Sequence, residues 1–233
     1  MAVDEMAEHA ERVPIGEVEL DGDLGLPADA QGMVLFAHGS GSSRRSPRNR
    51  QVAGALQRAG YATLLLDLLT TEEEEIDQRT RELRFDIGAL AARLTGAADW
   101  LASRSDTGPL PLAIFGASTG AAAALITAAD RPGRVRLVIS RGGRPDLAGS
   151  ALARVAAPTL LIIGGADQEV LRLNREAAAR MGGNIDLRIV PRASHLFPEP
   201  GALEDVIDLA VAALDRYLPA PGIADGTVEE SNL

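Results

Sequence analysis

One stretch constrains this chain more than any other: Ala113-Ile114-Phe115-Gly116-Ala117-Ser118-Thr119-Gly120-Ala121. The apolar run that opens it, preceded by Pro111-Leu112, predicts a buried strand. The small-residue run 121–126 predicts a helix. Between them stands Gly116-x-Ser118-x-Gly120. A serine on so sharp a strand-to-helix turn is forced into a strained backbone, and its flanking glycines leave room for helix and strand to approach. Its oxygen then projects above the sheet edge, near the positive end of the helix. Such a serine is a nucleophile candidate; the plainer reading is an inert turn serine.

The other segments alternate in kind. Residues 33–37, 61–66, 110–115, 135–139, 159–163 and 185–190 are short apolar runs, each expected as a strand. Helices are expected between them: 47–59, a long one after 71 with apolar residues in steps of three and four to Leu101, one to about 130, 148–155, 168–181 and 203–217. Thr71-x-x-Glu74 reads as a capping box for the long helix. At the start, the apolar residues of 12–26 suggest paired strands with a turn at Asp21-Gly22-Asp23. Residues 1–12 and 219–233 read as tails around one domain, 13–218. The expected fold is α/β: a mostly parallel sheet flanked by helices, with an N-terminal antiparallel hairpin and no large cap domain. In such sheets the site lies at the carboxyl ends of the strands.

Composition narrows the partners. A net charge of −10 argues against nucleic acid or an anionic membrane. No apolar run reaches transmembrane length, and residues 1–12 lack a signal-peptide core, so a cytoplasmic protein is expected. The chain has no cysteine, which removes a thiolate nucleophile and a Cys-bound metal. No metal or organic cofactor is implied, and the oligomeric state is unreadable.

A serine nucleophile needs a base. Of three histidines, His9 falls in the expected tail and His38 starts the loop after the 33–37 strand. His195, after the last strand, suits the base, and His38 suits a brace for its own loop. Asp167 ends a strand in Gly164-Gly165-Ala166-Asp167 and suits the acid that orients the imidazole. Its plainer reading is a helix N-cap, and Asp146 is a rival acid. The chain order Ser118…Asp167…His195 is that of the α/β-hydrolases. For the oxyanion, the N–H of Thr119 and that of Ser40, between two glycines, are the expected donors.

With these residues placed, residues 13–218 resemble the dienelactone hydrolase family of α/β-hydrolases. "HGSGSSRRSPRNR", "GASTGAAAAL", "SRGGRPDLAG", "GGADQEVLRLNREA" and "ASHLFPEPGALE" carry the likeness to a serine-bearing branch of it. In that branch the domain also occurs fused to phosphoribosyltransferase-like domains. The resemblance implies a compact fold, with nucleophile, acid and base at Ser118, Asp167 and His195. The family's namesake enzymes use cysteine, so the likeness supplies a reaction class and not a substrate.

Arginines crowd the expected site end: Arg44, Arg45, Arg48 and Arg50 after one strand, Arg141 and Arg144 after another. Arg44, Arg141 and Arg144 are candidate contacts for an anionic small-molecule substrate. The plainer reading pairs the arginines with the acidic run 72–75. Function is then expected as hydrolysis of a small or medium ester, lactone or thioester through an acyl-enzyme. Acyl transfer on the same triad, or a non-catalytic binding module, are the alternatives.

Overall fold

The computed structural model describes residues 8–218. The sequence-expected tails lie largely outside that range. Residues 8–12, expected in the first tail, are paired: β1 (Glu8–Ile15) begins at Glu8 and runs antiparallel to β2 (Val18–Gly25). β3 (Gly32–Ala37), α1 (Pro47–Arg58) and β4 (Tyr61–Leu66) follow, then α2 (Thr71–Thr80) and α3 (Ile87–Ser103). The second half holds β5 (Leu112–Ala117), α4 (Thr119–Asp130), β6 (Val135–Arg141), a 3-10 segment Pro145–Arg154, β7 (Thr159–Gly164), α5 (Gln168–Ala178), β8 (Ile185–Val190) and α6 (Ala202–Tyr217).

The strands form one eight-stranded sheet, ordered β1-β2-β4-β3-β5-β6-β7-β8. β3 to β8 are parallel, and β2 joins β4 antiparallel. Every residue of β3, β4, β5 and β7 is buried. Their unbroken apolar sequences serve both faces, because successive side chains point to opposite sides. Val34, Phe36, Ala113 and Phe115 meet α1 and α6 on one face. Met33, Leu35, Leu64 and Ile114 meet α3 and α4 on the other, and α5 covers Leu161 and Ile163. The α/β-hydrolase architecture is therefore present, with its antiparallel hairpin at one edge.

Three local expectations need correction. The hairpin turns at Gly16-Glu17, with Ile15 opposite Val18 and Gly16 at φ 61°. Asp21-Gly22-Asp23 lies inside β2 instead, where an added Cβ on Gly22 would sit 2.9 Å from Leu64 Cδ1. The capping box is one residue earlier, Thr70 with Glu73. The long helix after it is two helices, broken at left-handed Arg81 (φ 60°) and restarted at Asp86, whose carboxylate caps Ala89. The break is held by buried Asp77, which accepts from the Arg84 amide at 3.0 Å and from its guanidinium.

Candidate active site

β5 delivers Ser118 with φ 50° and ψ −121°, a strained backbone for a residue with a side chain. Its glycines answer to contacts. A Cβ on Gly120 would fall 2.3 Å from the Ala37 carbonyl oxygen, and one on Gly116 2.5 Å from Ala121 Cα. The elbow thus presses on the end of β3 and on its own helix. The Ser118 amide donates to the Arg141 carbonyl at 3.3 Å, and its carbonyl accepts from the Arg144 amide at 3.0 Å. These bonds tie the elbow to the loop after β6.

The loops after β7 and β8 bring Asp167 and His195 together: Nδ1 of His195 lies 2.8 Å from Oδ2 of Asp167. The other oxygen, Oδ1, accepts from the Val170 amide at 3.4 Å and caps α5. The acid and cap readings of Asp167 are compatible, one for each oxygen. The Ala166 amide donates to the Ala193 carbonyl at 2.9 Å, clamping the two loops. Asp146, the rival acid, is held bidentately by Arg144 at 2.8 and 2.7 Å.

His195 stands against the loop after β6. A Cβ on Gly142 (φ 52°) would lie 3.0 Å from its carbonyl oxygen and 3.6 Å from its Nδ1. Ser118 and His195 thus both touch the same short loop, though their side chains are not hydrogen-bonded to each other. Asn174, which sequence reasoning did not single out, donates to the Gly143 carbonyl at 2.9 Å from inside α5 and holds this loop. Nothing in its local sequence marks it.

The loop after β3 is braced by His38. Its Nε2 accepts from the Leu68 amide at 3.0 Å, which puts the proton on Nδ1, facing the Gly39 carbonyl at 2.9 Å. Burial pushes the His38 imidazole below its ordinary pKa. Further along, the Ser40 amide donates to Oγ1 of Thr119 at 2.9 Å. Both expected oxyanion donors are adjacent, but the Ser40 N–H is already engaged. Beside this loop opens a cleft of about 750 Å³, lined by residues 41–47, Asp67 and the start of α2.

The arginines divide sharply. Arg44 is enclosed by three carboxylates: Asp67, Asp23 at 3.4 Å and Asp21 at 3.6 Å. Arg50 pairs with Glu8 at 2.7 Å and Asp23 at 3.2 Å. None of the arginines of 44–50 pairs with residues 72–75, where Glu73 is taken by Arg93. The charges of Arg44 and Arg144 are neutralised within the fold, whereas Arg141 has no ion pair among the described residues. Among the described residues, no three His, Asp or Glu side chains gather as a metal site requires. Nor is any described helix long and apolar enough to cross a membrane.

The profile of the dienelactone hydrolase family matches residues 20–215. The chain belongs to that family. It is similar to a crystallised dienelactone hydrolase from Anabaena variabilis ATCC 29413, with 60% identity and a TM-score of 0.90, covering 92% of this chain and 99% of that one. Est1E from Butyrivibrio proteoclasticus shares the fold at 13% identity, with a TM-score of 0.74 over 89% of this chain and 98% of its own. A Mycobacterium tuberculosis H37Rv protein named "Putative phosphoribosyl transferase" is 55% identical over 211 residues, 91% of this chain and 47% of its own. The chain thus spans about half the length of the curated relatives it matches.

Proposed function

We propose that this dienelactone hydrolase family member is a serine esterase, acting on small or medium esters, lactones or thioesters through an acyl-enzyme. One observation carries the reading: a carboxylate–imidazole pair, Asp167 and His195, and a strained serine at a helix N-terminus border the same two-glycine loop. The loops after β5, β7 and β8 thus bring to one end of the sheet the three residue types that a Ser–His–Asp triad uses, which supports the reading.

In this reading His195 Nε2 takes the Ser118 hydroxyl proton as Oγ attacks the carbonyl carbon. Asp167 holds the imidazole by Nδ1 and stabilises its cation. The oxyanion receives the Thr119 N–H and the Thr119 hydroxyl proton. The Ser40 N–H polarises that hydroxyl, so Ser40 acts through Thr119. The carbonyl reforms, the leaving alcohol or thiol takes the proton from His195, and Ser118 is acylated. Water, deprotonated by His195, then releases the acid and restores the serine.

The transferase name of the mycobacterial relative belongs to a chain about twice as long. We assign the esterase chemistry to the half that this chain matches. The test is intact-mass measurement after treatment with a fluorophosphonate. A single adduct on the wild type and none on folded Ser118→Ala supports the reading; an unmodified wild type overturns it.

A further inference from the structure

We propose that the outer edge of β8 is a self-association surface, on which a second copy of this chain pairs antiparallel about Leu187 and continues the sheet. The proposal concerns the sheet edge and stands apart from the esterase reading.

β8 ends the sheet, with β7 on one side and no strand on the other among the described residues. The Asn184 and Val190 carbonyls accept from the amides of Thr159, in β7, and Gly165, just after it. Backbone groups alternate in direction along a strand, so the even-numbered residues turn theirs to β7. Ile185, Leu187 and Ile189 turn theirs outward, where they meet no hydrogen-bond partner among the described residues. Such a row is a template for another strand. The opposite edge is guarded. β1 carries Pro14, and its Glu8 and Glu11 are held by Arg50 at 2.7 Å and Arg104 at 3.5 Å. β8 contains no proline, and its Ile189 is 41% exposed.

The edge sequence says which strand fits. Ile185-Asp186-Leu187-Arg188-Ile189 is complementary to its own reverse. A two-fold axis at Leu187 sets each Asp186 opposite Arg188 of the second copy, and each Ile185 opposite Ile189 of the second copy. The outward-facing residues then fall at hydrogen-bonded pairs. Asp186 and Arg188 fall at the non-hydrogen-bonded pairs between them, where facing side chains approach most closely. Within one strand Arg188 already binds Asp186, at 2.8 and 3.0 Å on the exposed surface. The second copy closes these charges into a ring of alternating sign.

Other pairings are penalised. Sliding the copy by two residues sets Asp186 against its own counterpart in one direction, and Arg188 against its own in the other. An in-register parallel pairing sets both like pairs together. Exposed ion pairs contribute little affinity. Here they select orientation and register, while the strand hydrogen bonds and the covering of Ile185 and Ile189 supply the attraction.

The test is sedimentation velocity of the full chain over a dilution series. Wild type should pass from about twice the 24.4 kDa of one chain to a monomer on dilution. Asp186→Arg sets guanidinium against guanidinium, and Arg188→Asp sets carboxylate against carboxylate. Each should raise the dissociation constant about 10-fold or more. The double variant with both exchanges regains opposite charges and should return to within a few-fold of wild type. Ile189→Pro removes an outward amide, leaves the bonds to β7 and should abolish the dimer. Melting temperatures at low concentration check that each variant folds, and the charge exchange decides the matter if Ile189→Pro does not. Hydrogen exchange gives a second readout: the amides of residues 185, 187 and 189 should be protected only in concentrated solution. A wild type that stays monomeric overturns the proposal. So does a dimer indifferent to these substitutions, which would use another face. Protection of the three amides at every concentration would mean that another segment of the same chain covers the edge, and it overturns the proposal too.

Discussion

The Ser40 amide donates to the Thr119 hydroxyl at 2.9 Å, joining two residues 79 positions apart. The bond links the loop after β3 to the first residue of the elbow helix, and it leaves the hydroxyl proton of Thr119 free to point elsewhere. Thr119→Val should therefore lower kcat by about 10²-fold, the cost of losing one oxyanion donor, with KM little changed. Thr119→Ser keeps the hydroxyl and should stay within a few-fold. An undiminished kcat in Thr119→Val would mean that the Ser40 N–H reaches the oxyanion directly.

The two oxygens of Asp167 have separate duties, so substitutions there should separate activity from stability. Asp167→Asn should cut kcat by roughly 10⁴-fold by analogy with other triads. Its melting temperature should hold, because asparagine caps helices as well as aspartate. Asp167→Ala should lose the activity and also about 1 kcal/mol of stability from the cap. Asp146→Asn should leave turnover within a few-fold, since Asp146 serves Arg144. Steady-state kinetics and thermal unfolding on the same three variants check this.

Gly120 touches carbonyl oxygens of the β3 end that cannot swing aside as a side chain would. Gly120→Ala should cost about 1–3 kcal/mol, a drop in melting temperature of roughly 2–12 °C. It should also depress activity, because the displaced segment carries the loop with Ser40. A variant that melts like the wild type would show that this contact is relieved without cost.

Of the three histidines, His38 is the buried one, and burial lowers its pKa from the ordinary 6.5 despite the nearby carboxylates of Asp67 and Glu74. The unfolded chain takes up this proton near pH 6.5, and the folded chain does so only at lower pH. Stability should therefore be full above pH 6.5 and decline as the pH falls from 6.5 to 5. Urea unfolding across that range should show the decline, and His38→Gln should flatten it. A wild-type midpoint independent of pH would contradict it.

Much of this was readable in the sequence. Continuous apolar runs marked the parallel strands, and the elbow and the Asp167–His195 pairing followed from loop positions. What could not be read depended on partners distant in the chain. Asp21-Gly22-Asp23 resembles a turn, but Gly22 pairs with Glu11 on one side and Leu66 on the other, inside an uninterrupted strand. Nothing in residues 78–86 breaks a helix by composition; Asp77 turns the chain by holding Arg84. The arginines looked alike in sequence. Only the fold brings Asp21, Asp23 and Asp67 around Arg44 and leaves Arg141 with an asparagine.

The strand order carries a consequence in time. Ser118 directly follows β5 in the middle of the sheet, while His195 follows β8 at its edge, 77 residues later (195 − 118). At ribosomal speeds of about 5–20 residues per second, that interval is roughly 4–15 s. Throughout it, the proposed nucleophile exists without its proposed base. On the proposed esterase reading, a nascent chain of this protein cannot turn over an ester until the final strand has joined the sheet.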